Sequence, residues 1–208
     1  MEADSLSVGK KAYHHPGLRS ALLREAAGML RKEGIAALSL RSLAKTLKVS
    51  HTAPYRHFKN REYLLAALAE EGFVQLATQG ERAMLGHTDA RERLRAFGLV
   101  YIRTATQNPE IFRLMFAESS FDLKNFPEAC QASERSFALL VKAVTDCQKS
   151  GEIPPGNPMP PVFTAWALVH GISFLLIAGR MSEEGKKAPS PEEIWAMVSS
   201  QWPGEKQK

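Results

Sequence analysis

The chain is 208 residues long, enough for one compact domain or for a small head on a larger body. With 44% apolar and 24% charged residues, its composition is that of a soluble globular protein and excludes a disordered chain. The net charge of +5 is unevenly held: residues 1–61 have twelve Lys/Arg against four Asp/Glu, an excess of +8, whereas residues 62–208 have fifteen against eighteen, or −3.

A basic first third is the footprint of a nucleic-acid-binding end, because Lys and Arg that neutralise phosphates release condensed counterions. A basic surface facing an anionic membrane fits the same count. Residues 1–17 lack the apolar core of a signal peptide, and the longest apolar run, 165–179, is interrupted by His170 and reads as too short to span a bilayer. Cys130 and Cys147 fall on one predicted helix, too far apart to bridge and without metal-ligand spacing. The expectation is a soluble, cytoplasmic protein with reduced thiols, no metal and no cofactor.

Strand signals are almost absent, and helical periodicity with cap chemistry recurs throughout, which predicts an all-α chain of about nine helices. The first spans 17–33. Gly34 is placed for a left-handed C′ position, with Ile35 packing back on Leu30 in a Schellman ending. Leu40, Leu43, Ala44 and Leu47 follow the i, i+3, i+4, i+7 rule of a second helix, with Ser39 as N-cap. After Lys48-Val49, Ser50 caps a short third helix ending near His57; Pro54 in its first turn biases Ala53 away from helical geometry. Asn60 caps a long fourth helix to about residue 85. Further helices are read at 89–107, 109–119, 124–150, 160–181 and 190–202. The strongest start signals are Asn108-Pro109-Glu110 and the capping box Ser190-Pro191-Glu192-Glu193.

Two short helices joined by a tight turn, with a third packed behind, form a helix-turn-helix, whose second member enters the major groove. His51, Thr52, Tyr55 and Arg56 fall at i, i+1, i+4 and i+5, on one helical face, and all can hydrogen-bond base edges. Ala53, Pro54 and Phe58 face the core. Ser50 at the helix start can hold a phosphate, and Arg41, Lys59 and Arg61 flank the face with cations. The plainer reading of the same stretch is a helical hairpin with a solvated polar face.

These residues closely resemble the tetracycline-repressor (TetR) family of bacterial regulators. The matching elements are Leu23-Arg24-Glu25-Ala26-Ala27 with Leu30, Glu33-Gly34, Ser39-Leu40-Arg41-Ser42-Leu43-Ala44, Val49-Ser50 and Tyr55-Arg56-His57-Phe58. Arg61 and Leu64-Leu65 continue the match, and Tyr13-His14-His15 with Leu18-Arg19 looks like the entry of one branch. The resemblance implies a homodimer of all-α subunits, each with a three-helix DNA-binding head (1–61, led by a flexible N-terminal arm) and an effector-binding, dimerising body (62–208). Carried over by position, His51, Thr52 and Arg56 would face bases, and Arg41 a base or a phosphate. Ser50, Tyr55, His57, Lys59 and Arg61 would clamp phosphates; for His57 a structural role between helices three and four stands beside that one. The chain departs from the pattern at Lys48, where the family usually has glycine, at Pro54, where it has an aliphatic residue, and at Arg61, where it has lysine.

In the body, Trp166, His170 and Gly171 are similar to the Trp-x-x-x-His-Gly pattern of one TetR branch. Gly171 would permit close helix approach, and His170 would line a cavity, pair across a dimer interface or simply sit in the core. The aromatic and methionine stripe Phe97, Tyr101, Phe112, Met115, Phe116, Phe137, Phe163, Trp166 and Phe174 reads either as hydrophobic core or as the wall of an effector pocket. Ligand contact is expected of Tyr101, Phe112, Met115, Phe116, Trp166, His170 and Phe174. Few fixed charges attend the stripe, so the effector is expected to be a largely apolar or aromatic small molecule. Ile194, Met197 and Val198, with Trp195 and Trp202, predict that the last two helices build a four-helix dimer interface.

No His-Glu-x-x-His, Gly-x-Ser-x-Gly, P-loop or dinucleotide turn occurs, so no enzyme is expected. The reading is a sequence-specific, ligand-responsive DNA-binding regulator, in which the effector alters the spacing of two heads on a near-palindromic operator. A sequence-blind DNA binder or helical scaffold is the alternative, and activation remains open beside repression.

Overall fold

The computed structural model describes residues 17–116, 121–181 and 189–199. Within them the backbone forms eight α-helices and three single turns of 3-10 helix, with no strand. The N-terminal arm, including Tyr13, His14 and His15, lies outside the described residues, as do residues 117–119 of the predicted helix 109–119 and Trp202.

Helix α1 (Leu18–Glu33) buries Leu22, Leu23, Ala26, Met29 and Leu30, one face at helical spacing. It ends at Gly34, whose φ of 79° is the positive value expected, but whose ψ of 176° sends the chain out extended. The Gly34 N–H still bonds the Leu30 carbonyl at 3.1 Å, so the ending is not the Schellman motif that the sequence suggests. A 3-10 turn at Ile35–Ala37 then leads into α2 (Leu40–Thr46).

Ser39 caps α2 as expected, with a serine partner completing the box. Its hydroxyl accepts from the Ser42 N–H at 3.0 Å, and the Ser42 hydroxyl accepts from the Ser39 N–H at 3.1 Å. The Schellman motif occurs instead at the end of α2. The Lys48 N–H bonds the Lys45 carbonyl and the Val49 N–H bonds the Ala44 carbonyl, with Lys48 at φ 53° in the left-handed region. Among the described residues Lys48 is the one non-glycine with positive φ.

Helix α3 (Arg61–Leu85) is capped by Asn60, whose side-chain oxygen accepts the Tyr63 N–H at 3.2 Å. Twenty-five residues give it a length of about 37 Å. Its buried residues run from Leu64 beneath the head to Met84 deep in the body. Then follow α4 (Ala90–Gln107), α5 (Pro109–Phe116), α6 (Pro127–Lys149), α7 (Met159–Ile177) and α8 (Pro191–Ser199).

Two predicted boundaries move for visible reasons. Residues 123–125 form a separate 3-10 turn capped by Asp122, and Pro127 takes the first position of α6. Helix α7 stops at Ile177, four residues early, because Gly179 takes φ 66° and the Arg180 N–H bonds the Leu175 carbonyl at 2.8 Å, another Schellman closure. The capping box of α8 forms as read, with Glu193 Oε2 accepting from both the Ser190 N–H and its hydroxyl.

One apolar core runs without a break from Leu22 in α1 to Ile194 in α8, so head and body share a common interior. Helix α5 packs on α1 of the head and on α3. Helix α7 is apolar on all sides, and its 19 residues make it long and apolar enough to cross a membrane by length and composition, which corrects the expectation from sequence. Only 28% of its most apolar window is buried within this chain, and Phe163, Phe174 and Leu175 are exposed on its outer side.

Candidate DNA-reading face and body cavity

The third helix of the head is shorter than the sequence suggests. Residues 51–53 form a turn and Pro54–Arg56 one turn of 3-10 helix, closed by His57 and Phe58 N–H bonds to the Pro54 carbonyl, both at 3.0 Å. Ala53 is helical (φ −60°, ψ −45°), against the bias that a following proline imposes. Pro54 and Phe58 are buried, and the Arg19 guanidinium lies 5.6 Å over the Phe58 ring. Packing therefore holds this element, since so few backbone bonds cannot.

That anchoring leaves Ser50, His51, Thr52, Tyr55, Arg56, His57 and Lys59 exposed, with Arg41 and Lys45 exposed on α2 and Lys48 between them. Ser50 and Thr52 hydroxyls bond each other at 3.3 Å. His57, which helix geometry turned from the reading face, is exposed beside it because the segment is no regular α-helix. Arg61 is differently employed. Its Nε donates to the Leu38 carbonyl at 2.8 Å and its Nη2 to the Ile35 carbonyl, so it braces the α1–α2 connection against the start of α3. The signal missed in the sequence was the bare 3-10 turn at Ile35–Ala37, whose carbonyls needed a donor.

The body encloses a cavity of about 590 Å³, within the range that holds a drug-sized molecule. Of the seven expected ligand contacts, Tyr101, Phe116 and Trp166 line it. Phe112 and Met115 are buried in packing away from it, His170 stands behind its wall and Phe174 faces outward. Phe73, Phe97, Phe137 and Trp195 complete the aromatic lining. Trp195 lies so close over Gly98 that a Cβ there would sit 2.9 Å from the indole, which places this side chain against α4 in the cavity wall. The side chains of Met197 and Val198 lie outside the described residues. Gly171 is exposed, with nothing near its Cα hydrogens, so it mediates no close approach within the chain.

Sequence reasoning missed the charges. Arg91, Glu92, Arg95, Glu134, Glu152 and Glu192 all reach the cavity, against the expectation of few fixed charges. They come from α4, α6, the loop after α6 and α8, so nothing local in the sequence groups them. Arg91 pairs with Glu152 at 3.1 Å, Arg95 with Glu92 at 3.2 Å, and Arg103 with Glu192. Cys147 also lines the cavity, and burial, followed by Glu152, pushes its thiol up to about 11, so it stays protonated and unreactive at neutral pH.

Behind the wall runs a hydrogen-bonded relay. Trp166 Nε1 donates to the Tyr101 hydroxyl at 3.2 Å, and that hydroxyl lies 2.7 Å from His170 Nδ1. An indole N–H can only donate, so the Tyr101 oxygen accepts there, and between that hydroxyl and Nδ1 either atom can supply the proton. Burial depresses the pKa of His170, and burial raises that of the Tyr101 phenol, so both are neutral across the physiological range. Tyr101 also stacks edge-on against Phe112 at 5.4 Å, and Phe116 against Phe73 at 5.5 Å. The cavity wall is thereby tied to α5 and, through α5, to α1 of the head.

Two family models match the chain: Bacterial regulatory proteins, tetR family, over residues 22–68, and Tetracyclin repressor-like, C-terminal domain, over residues 94–199. A solved structure of a protein of unknown function from Rhodococcus sp. RHA1 is 35% identical over 95% of this chain and 100% of that one, with a TM-score of 0.78. The chain belongs to the TetR family of bacterial regulatory proteins, and is an all-α DNA-binding transcriptional regulator. The TetR family regulator PfmR from Thermus thermophilus shares the fold at 21% identity, covering 89% of this chain and 99% of that one, with a TM-score of 0.67. AibR, solved in complex with isovaleryl coenzyme A and operator DNA, does so at 18% identity, with 90% and 99% covered and a TM-score of 0.67. No curated protein sequence matches.

Proposed function

We propose that the protein is an effector-responsive repressor that binds a near-palindromic operator as a homodimer in the cytoplasm, without enzymatic activity. The head comprises residues 1–61 and the body 62–208. The observation that carries this reading is the shared core: the reading turn rests on Phe58, and the cavity reaches the head through Phe116 and α5. A molecule entering the cavity must move the aromatic wall, and close-packed interiors pass such a shift to their neighbours. The AibR complex provides precedent for a protein of this fold holding both a small molecule and operator DNA.

On the DNA, His51, Thr52 and Arg56 contact base edges, and Ser50, Tyr55, His57 and Lys59 hold phosphates, with Arg41 at a base or phosphate. Arg61 supports them by fixing the loop between α1 and α2. The outer side of α7 makes the dimer. Phe163 and Phe174 stand eleven residues apart, about three helical turns, and so share a face, with Leu175 exposed beside it. A second copy covering that face, with α8 alongside, forms a four-helix interface and accounts for an apolar helix with little burial in one chain.

The test is fluorescence anisotropy with the DNA flanking the protein's own gene against random duplex at one fixed salt concentration. A specific regulator prefers its operator by about 10³-fold or more. Equal affinity for both would establish the sequence-blind alternative.

A further inference from the structure

We infer that the effector is a lipophilic organic cation carrying a single positive charge. This deepens the effector-pocket reading above and rests on it. The charges that face the cavity can be followed element by element. From α4 come Arg91, Glu92 and Arg95; from α6, Glu134; from the loop after α6, Glu152; from α8, Glu192.

Both arginines are already engaged, Arg91 by Glu152 and Arg95 by Glu92. Glu192 is met by Arg103, which itself stands outside the cavity lining. Of the neighbouring cations, Arg93 and Lys142 are committed to Asp146 and Arg135 to Glu81, while Lys124 acts on the Cys130 thiol beside Glu134 without an ion pair to Glu134 within 4 Å. His170 is neutral. Four carboxylates thus share three arginines, and Glu134 is the carboxylate left over. Its contact among the described residues is the Cys130 thiol, 3.6 Å away, a weak and uncharged donor.

The walls favour the same sign of ligand. Tyr101, Phe116, Phe137 and Trp166 form a continuous aromatic lining, with Phe137 and Trp166 centroids 5.6 Å apart and Phe116 and Trp166 6.5 Å apart. Aromatic faces carry negative quadrupole potential and attract cations, most strongly where water is excluded. The Trp166 N–H, the positive edge of that ring, is turned to Tyr101 and does not face the ligand space. An anionic ligand would have to break an existing ion pair to find a partner and would then strand a carboxylate. A monocation needs no such exchange, since Glu134 at the mouth neutralises it while the rings receive its apolar groups. The Glu134 carboxylate and the aromatic walls therefore select charge, and the 590 Å³ volume selects size.

The test uses three probes of similar shape: tetraphenylphosphonium, triphenylphosphine oxide and tetraphenylborate. Each is titrated calorimetrically into the full-length protein, with quenching of Trp166 and Trp195, both in the lining, as the second readout. Tetraphenylphosphonium should bind about tenfold more tightly than the neutral oxide, and tetraphenylborate most weakly. In the Glu134→Gln variant, at an exposed position where the fold is not at stake, the cation-over-neutral ratio should fall by about fivefold. Preference for tetraphenylborate, or a ratio unmoved by Glu134→Gln, overturns the cation assignment and leaves the effector pocket standing. Binding of none of the three overturns the pocket reading and the assignment with it.

Discussion

Removing one oxygen atom tests the relay behind the cavity wall. Tyr101→Phe keeps the ring and its edge-on contact with Phe112, and deletes only the hydroxyl that accepts from Trp166 and hydrogen-bonds His170 Nδ1. Tyr101 is 4% exposed, so water reaches its place poorly, whereas Trp166 and His170 are half-buried and recover part of their solvation. An unsatisfied buried group costs about 1–3 kcal/mol, and two partly exposed partners at the low end sum to about 2 kcal/mol. For a chain of this length that lowers Tm by roughly 4–8 °C. Calorimetry at matched protomer concentration measures it, because a dimer's Tm depends on concentration. A cost below about 0.5 kcal/mol would refute the relay, since even one net hydrogen bond contributes that much. The double-mutant cycle with Trp166→Phe supplies the second check: coupled partners give a non-additive result.

The same relay sets a pH dependence. His170 has a folded pKa held by burial below its ordinary value of about 6.5, so its contribution is complete above that pH and is lost as pH falls and the unfolded chain takes up a proton preferentially. Tm should therefore decline on acidification below about pH 6.5, and the decline should be shallower in His170→Gln; identical slopes would remove His170 from the account. Lys48→Gly should stabilise by about 1 kcal/mol, because the α2 closure holds a side chain in left-handed geometry that glycine adopts freely. Chemical denaturation reads this, and a destabilised variant would contradict the strain. In operator titrations, Arg56→Ala should relax base preference, and Lys59→Ala should weaken all sequences and flatten the salt slope by about one unit. Arg61→Ala should instead lower Tm and leave the salt slope in place, as its guanidinium serves the Leu38 and Ile35 carbonyls. Gly72→Ala would put a Cβ 2.6 Å from Met115 Sδ and 2.9 Å from Ile111 Cγ2, so these α5 side chains must shift where α5 packs on α3. The expected cost is about 1–3 kcal/mol, with altered operator affinity in anisotropy if α5 couples cavity to head.

Local chemistry was legible in the sequence because it acts between near neighbours. Ser39, Asn60 and Ser190 cap the helices that the pattern assigned to them, since a cap needs only a side chain and an N–H three residues on. The buried stripe of α2 and the exposure of the head's polar residues follow from periodicity in the same way. Where competing local solutions existed, periodicity could not choose: Gly34 and Lys48 both stand after a helix, yet the Schellman closure formed at the lysine. Pro54 shortened the reading helix to a 3-10 turn that survives through Phe58, a contact made far along the chain with α1.

Tertiary structure alone decided what the body can hold. Which aromatics face the cavity depends on helix rotation, so Tyr101, Phe116 and Trp166 line it while Phe112 and Met115, one turn or less from Phe116, are packed away. The charges at its mouth come from four separate segments and acquire meaning only as pairs, since whether Glu134 is compensated depends on where Arg91, Arg95 and Arg103 have gone. The sequence by itself determined a basic, capped, helical reading head, because those properties are written in residue type and spacing. Packing determined the sign and size of the ligand space, because a cavity is defined by what long-range contacts leave unfilled.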